Sequence, residues 1–179
     1  MARSKILIIS TVLTVAAAMA SCSRNTVFYR YDHTPVAGWE KNDTLTFDVS
    51  PVPRAGSYRE EIGLRINGSY PFTGLCLIVE QTIYPSGVSV SDTLNCRLID
   101  ADGTVRGRGV SYYQYSFHLT DMRLEQGDSL HVCVRHNMKR EILPGISDIG
   151  LRVVSVAREV AAGVDAQEDE KEEREAPQR

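Results

Sequence analysis

Four cysteines and four histidines are the residues of this 179-residue chain best suited to nucleophilic, redox or metal chemistry. Their spacing decides what each can serve. Cys22 ends the run Met19-Ala20-Ser21-Cys22, after an uncharged stretch from Ile6 to Ala20 and a basic start at Arg3 and Lys5. Charged n-region, apolar h-region and small residues before a cysteine form the layout of a bacterial lipoprotein signal peptide. Cys22 is therefore the expected lipid acceptor. Cys76, Cys96 and Cys133 remain, an odd number that cannot all pair internally, with no CxxC spacing for a zinc ribbon or a redox pair. Each sits in an apolar run, where a free thiol behaves as a small hydrophobe. His33, His118, His131 and His136 form no HxH or HExxH pair, so no metal site is expected. His131 and Arg135 fall on the outward side of one strand pattern and are carried as a candidate partner or ligand surface.

Other polar clusters read as turns or faces. Asp100-Ala101-Asp102-Gly103 opens like a calcium loop but lacks the later ligands, and a turn with glycine in the left-handed position accounts for it. Glu60 and Glu61 are adjacent, so on a strand they point to opposite faces and cannot act as a carboxylate pair. There is no GxSxG, P-loop or GxGxxG, and no catalytic residue or cofactor is expected. Tyr113, Tyr115 and Phe117 share one face and read as core. Tyr112 lies on the other face, and Trp39 stands at the mouth of a strand; these two are the candidate aromatic ligand contacts. Asp43-Thr44-Leu45, Asp92-Thr93-Leu94 and Asp128-Ser129-Leu130 repeat one pattern at strand starts. It is turn chemistry by composition, and it also resembles the O-glycosylation acceptor used on Bacteroidetes envelope proteins, which makes Thr44, Thr93 and Ser129 candidate acceptors.

The elements that would position these residues follow from composition and period. The apolar stretch of the signal, about 15 residues, is short of the ~20 that span a bilayer. Without residues 1–21 the chain carries a net charge of −5, of which residues 165–179 hold −4. A near-neutral body gives no electrostatic reason to bind nucleic acid. Residues 22–40 read as a lipid-anchored lead-in, 41–157 as one domain, and 158–179 as a disordered acidic tail too polar to bury a core.

Apolar and polar residues alternate with period two through Leu45–Val49, Ile62–Ile66, Leu94–Leu98, Tyr113–Leu119, Leu130–Val134 and Ile149–Val153. Leu75–Val79 is continuously apolar, as for a strand covered on both sides. Turn signals separate the runs, among them Asn67-Gly68, Pro85-Ser86-Gly87 and Asp102-Gly103. An all-β fold follows: a single antiparallel β-sandwich of about seven to nine strands. Asn137–Leu143 is the one candidate helical turn, and a β-bulge is expected at Val153–Val156.

Four segments together resemble the GldH family of gliding-motility lipoproteins of Bacteroidetes. They are Gly38-Trp39-Glu40-Lys41-Asn42-Asp43-Thr44-Leu45-Thr46-Phe47; Leu64-Arg65-Ile66-Asn67 with Tyr70-Pro71-Phe72-Thr73-Gly74-Leu75; Asp92-Thr93-Leu94 with Leu98, Gly103 and Gly107-Arg108-Gly109; and Met138 through Leu151, with Leu143-Pro144-Gly145-Ile146-Ser147-Asp148-Ile149-Gly150-Leu151 the most specific part. Val105 stands where the family tends to have Trp, and Gly74 where it tends to have Asn. The resemblance covers roughly residues 22–156 and implies a lipid-anchored structural or assembly component of the gliding and associated secretion machinery, with no catalytic residues to transfer. The expected setting is the cell envelope, on the periplasmic face of the outer membrane. The expected partners are the membrane, through lipid on Cys22, and other envelope proteins. The competing reading is an envelope glycan-binding module, which a sandwich on a lipid anchor also suits.

Overall fold

The computed structural model of the chain describes residues 25–156. The signal segment, Cys22 and the acidic tail lie outside the described residues. Ten strands follow one another: β1 (Thr26–His33), β2 (Trp39–Glu40), β3 (Leu45–Val49), β4 (Gly56–Asn67), β5 (Gly74–Tyr84), β6 (Val88–Arg97), β7 (Tyr112–Leu124), β8 (Ser129–His136), β9 (Ile142–Leu143) and β10 (Ile146–Val156). Two antiparallel four-stranded sheets, β1-β10-β4-β7 and β3-β8-β5-β6, face each other, and the two-residue pair β2-β9 is separate from both. The edges align, β1 over β3 and β6 over β7. The fold is the expected β-sandwich.

Side-chain parity builds the core. In β4, Ile62 and Leu64 lie opposite Leu151 and Ile149 on one side and Phe117 and Tyr115 on the other, so one row of apolar residues crosses the sheet. The facing sheet supplies Leu75, Leu77 and Val79 from β5 and Leu130, Val132 and Val134 from β8, all buried. Each such side chain contributes roughly 1.5–3 kcal/mol when fully buried. The first seam is closed by Arg30, which donates to the Thr46 carbonyl at 2.6 Å and lies over the Phe47 ring at 5.1 Å.

Several expectations are corrected. The segment read as a lead-in contains β1, which pairs with β10 from Thr26 to His33. Its own alternation, Tyr29 and Tyr31 against Phe28, Arg30 and Asp32, is that of an edge strand whose inner face carries polar residues. Asn137–Leu143 forms no helical turn; its last two residues are β9, held by Trp39 and Glu40. The irregularity expected at Val153–Val156 lies on the partner strand, where the register slips between Thr26 and Phe28. Further slips add Ser147 to β10 and Leu119 to β7. The slip at Leu119 ends the inward row of Tyr113, Tyr115 and Phe117 and lets Met122 and Leu124 take it up again. Leu75–Val79 is covered on one face only, and Cys76 and Ile78 remain half-buried on the other.

Two backbone or core positions carry sharp constraints. Gly145 has φ +80°, its carbonyl accepts from the Asn67 N–H at 2.8 Å, and a side chain there would fall on the Tyr70 backbone. Gly145→Ala should destabilise the protein by about 2–4 kcal/mol through that strain and clash, seen as a lower urea midpoint at unchanged m-value.

Glu60 points into the core, fully buried opposite Thr120 and Val153, and faces Gln81 of the other sheet. Neither side chain completes a hydrogen bond of good geometry among the described residues. Burial first, opposed by Gln81 and reinforced by Asp92, pushes the Glu60 carboxyl up to about 7. A raised folded pKa means that the native state keeps a proton which the unfolded chain releases above 4.5. Stability is therefore full at acid pH and falls between about 4.5 and about 7. Glu60→Gln removes that loss, so its thermal midpoint should exceed wild type clearly at pH 8, by up to about 3 kcal/mol of stability, and converge with it near pH 4.

Candidate functional site

The side chains with chemical potential gather on the outer faces of the two sheets. On the β5 sheet, register places Asp48 opposite His131, and Cys133 opposite both Thr46 and Glu80. Cys133 and His131 are two residues apart on β8 and so share a face. Cys133 Sγ is 3.4 Å from His131 Nε2, and His131 Nδ1 is 2.6 Å from Asp48 Oδ1. Arg135 continues the row and donates to Glu80 at 3.2 Å.

Thiol, imidazole and carboxylate in line have the connectivity of a nucleophile, its base and the base's orienting group. The surroundings oppose that chemistry. The Cys133 thiol is held above its ordinary pKa, by burial first and then by the Glu80 and Asp48 carboxylates. A nucleophilic cysteine needs the reverse, a positive setting that favours thiolate. The three groups lie on the open outer face of a sheet, whereas an oxyanion site needs preorganised donors converging in a water-excluded pocket. The arrangement is a polar ladder that ties β3 to β8. Among the described residues no three potential ligands converge on a metal position.

The outer face of the β4 sheet is organised in rows that cross the strands. One row is Arg108, Gln114, Arg65, Asp148 and His33; the next is Ser116, Gly63, Gly150 and Tyr31; a third is His118, Glu61, Arg152 and Tyr29. The glycines form a low floor between the outer two rows. The Tyr31 ring lies on that floor, since a side chain at Gly63 or Gly150 would strike it, and the Arg65 guanidinium covers the ring at 4.0 Å from its centroid. Glu61 accepts from Arg152 at 3.1 Å and from Ser116 at 3.3 Å.

The residues singled out from sequence distribute as follows. His131 and Arg135 stand together on the outer face of the β5 sheet. Tyr112 is 56% exposed, alone at the end of β7. Trp39 is a correction: it offers no surface, being 0% exposed. Its Nε1–H donates to the Asp43 carbonyl at 3.0 Å, and its ring meets the His136 ring edge-on at 5.2 Å. His136 is buried with it. Its Nδ1 faces the Met138 N–H at 3.4 Å and its Nε2 the Trp39 carbonyl at 3.2 Å, which selects the neutral Nε2–H form. Burial holds its pKa below the usual value.

Thr44 and Thr93 are exposed and Ser129 is half-buried. Cys76, Cys96 and Cys133 are all free thiols, with Cys96 alone fully buried. A sugar-stacking platform needs open ring faces in one plane. The exposed Tyr29 instead meets Tyr31 at 82°, and Tyr31 is already covered. Sequence reasoning missed Asp48, Tyr29, Tyr31 and the arginines of the outer rows. The period-two pattern of residues 27–32 was the available signal.

Comparison with known proteins agrees with this geometry in extent. The profile of the GldH lipoprotein family matches residues 26–153, from the first residue of β1 almost to the end of β10. The gliding motility lipoprotein GldH of Flavobacterium johnsoniae is 32% identical over 148 residues, covering 79% of this chain and 92% of that protein. A GldH homolog from Christiangramia forsetii is 24% identical over 143 residues, 75% of this chain and 86% of that one. Among solved structures, a family 35 carbohydrate-binding module from Clostridium thermocellum superposes with a TM-score of 0.35 at 13% identity, over 72% of this chain and 92% of that one. A family GH115 glucuronidase gives 0.41 at 11% identity, over 76% of this chain and 18% of that one. Superpositions this loose carry no argument about a ligand. The family profile, spanning the whole sandwich, and the Flavobacterium relative place the chain in the GldH lipoprotein family.

Proposed function

We propose that the protein is a non-enzymatic assembly component of the envelope machinery for gliding motility and its associated secretion, anchored by lipid on Cys22 to the periplasmic face of the outer membrane. The observation that carries this reading is the family match along the whole sandwich, residues 26–153. The chemistry of the two outer faces is consistent with it. Their charged side chains are mostly paired in ladders across strands, as Arg135–Glu80 and Arg152–Glu61 are, which suits recognition by another protein. The thiol of Cys133, a nucleophile beside the His131 imidazole, is tuned away from reactivity.

An affinity pull-down of the tagged lipoprotein from its native membranes should bring down gliding or secretion components. Recovery of a glycan-uptake system in their place would overturn the reading. The anchor has its own check: radioactive palmitate should label the wild-type chain and not the Cys22→Ser protein, and equal label in both would remove the lipid from Cys22.

A further inference from the structure

The floor of glycines on the β4 sheet does not stop at the sheet edge. Gln114 and Ser116 line a groove of about 390 Å³ with Tyr29, Tyr31, Glu61 and Arg152. The same two residues line a second groove of about 710 Å³ with Arg97, Arg106, Arg108 and Phe117. The two are one furrow, crossing the outer face and passing over β7 into the seam between the sheets. A third groove, of about 380 Å³, shares Glu61 and Arg152 with the first and runs down to Ser155 and Val156, where the described chain ends.

The furrow is basic on a chain of net charge −3. Arg97, Arg106, Arg108 and Arg152 line it against Glu61, with Arg65 over the lining Tyr31 ring and Asp100 beside Arg106. Arg152 is paired with Glu61, and Arg106 with Asp100 at 3.2 Å. Among the described residues Arg65, Arg97 and Arg108 have no carboxylate within ion-pair distance. The backbone explains why these side chains gather. Arg108 and Gln114 exchange both backbone hydrogen bonds, at 3.0 and 2.9 Å, so residues 106–108 lie along β7 like the start of a fifth strand. Gly107 packs on the Tyr115 ring, where a side chain would collide. With the middle residue facing inward, Arg106 and Arg108 project together to the outer face.

We propose that this furrow is the binding site for the chain's own acidic run, residues 168–175. That run holds Glu168, Asp169, Glu170, Glu172, Glu173 and Glu175 against Lys171 and Arg174. Three observations converge on it. The charges are complementary, and arginine forks bind carboxylates well. The path is continuous, since the groove at Val156 leads into the furrow. The length suffices: Gly150 is six residues up β10 from Val156, about 20 Å at the rise of a strand, and residues 157–167 reach up to about 36 Å when extended. Tethering makes the contact intramolecular, so weak pairing of exposed charges is enough to hold it. The tail then occupies a surface that an acidic segment of a partner would otherwise take.

The test uses the full-length lipoprotein in detergent at low salt, digested with a Glu-specific protease and followed by mass spectrometry. A docked run is cut only when it lifts away. The Arg106→Gln/Arg108→Gln protein should lose its tail about five-fold faster than wild type, the signature of a docking equilibrium worth about 1 kcal/mol, with an unchanged thermal midpoint. An Arg140→Gln control should keep the wild-type rate. Wild type alone should accelerate by a similar factor at about 0.5 M salt, where screening is strong, a readout that needs no variant to fold. Equal tail loss in wild type and the double variant, with no salt effect on wild type beyond that on a free peptide of residues 165–179, would overturn the proposal and leave the furrow to a partner.

Discussion

The pairing of β4 with β10 sets everything else in the sandwich. It runs from Ser57–Val156 to Ile66–Ile146 along nearly the full height of the sheet. Because successive side chains alternate in direction, one register fixes two surfaces at once. Inward it brings together Ile62, Leu64, Ile149 and Leu151, all fully buried. Outward it brings together Glu61 with Arg152 and Gly63 with Gly150. A slip of one residue would bury the charged row and expose the apolar one. The core and the furrow are therefore consequences of the same hydrogen-bond ladder.

The same parity explains why the polar residues with the strongest chemical associations do no chemistry. Glu60 and Glu61 are neighbours in sequence and lie on opposite sides of the sheet. The first is sealed against Gln81 and kept neutral by burial up to about pH 7. The second is spent on Arg152 and Ser116. Cys133, His131 and Asp48 fall in line because Cys133 and His131 share a face of β8 and β3 places Asp48 opposite His131. Their electrostatic setting is that of a strand tie, with carboxylates disfavouring the thiolate. His136, on the inner face of β8, is held below its usual pKa by burial first, and the Trp39 carbonyl and Met138 amide set its tautomer.

Period-two alternation carried the fold in the sequence. Ile62–Ile66, Leu130–Val134 and Ile149–Val153 each appear as strands with the inward residues expected. Alternation failed where burial is one-sided or polar. The inner face of β1 is Phe28, Arg30 and Asp32, and a hydropathy pattern cannot reveal that Arg30 closes a seam by covering Phe47. Leu75–Val79 looked doubly covered because Cys76 and Ile78 are apolar, although they lie on an open face. Trp39 could not be placed from its position at a strand mouth, since its burial depends on Leu143 and His136, both about a hundred residues away in the chain. The furrow was illegible for the same reason. Gly63, Gly150, Ser116 and Arg106 become neighbours only through three strand pairings.

The family-specific residues mark the end of the sandwich where those long-range contacts converge. Trp39 pairs with Leu143, Gly38 has φ +121° and a side chain there would strike Ile142, and Gly145 sits under Tyr70. The opposite end holds Thr26, Ser57, Arg123 and Val156, with the Asn25 carbonyl accepting from the Ser155 N–H at 2.7 Å. With the anchor proposed at Cys22, three residues separate it from β1, a reach of about 14 Å. The proposed anchor would put the Thr26 end nearer the membrane and the Trp39–Leu143 cap farther from it, about 33 Å along β10 at the rise of a strand. In that arrangement the glycine floor would lie between the two ends, open to the tail contact proposed above or to a partner alongside.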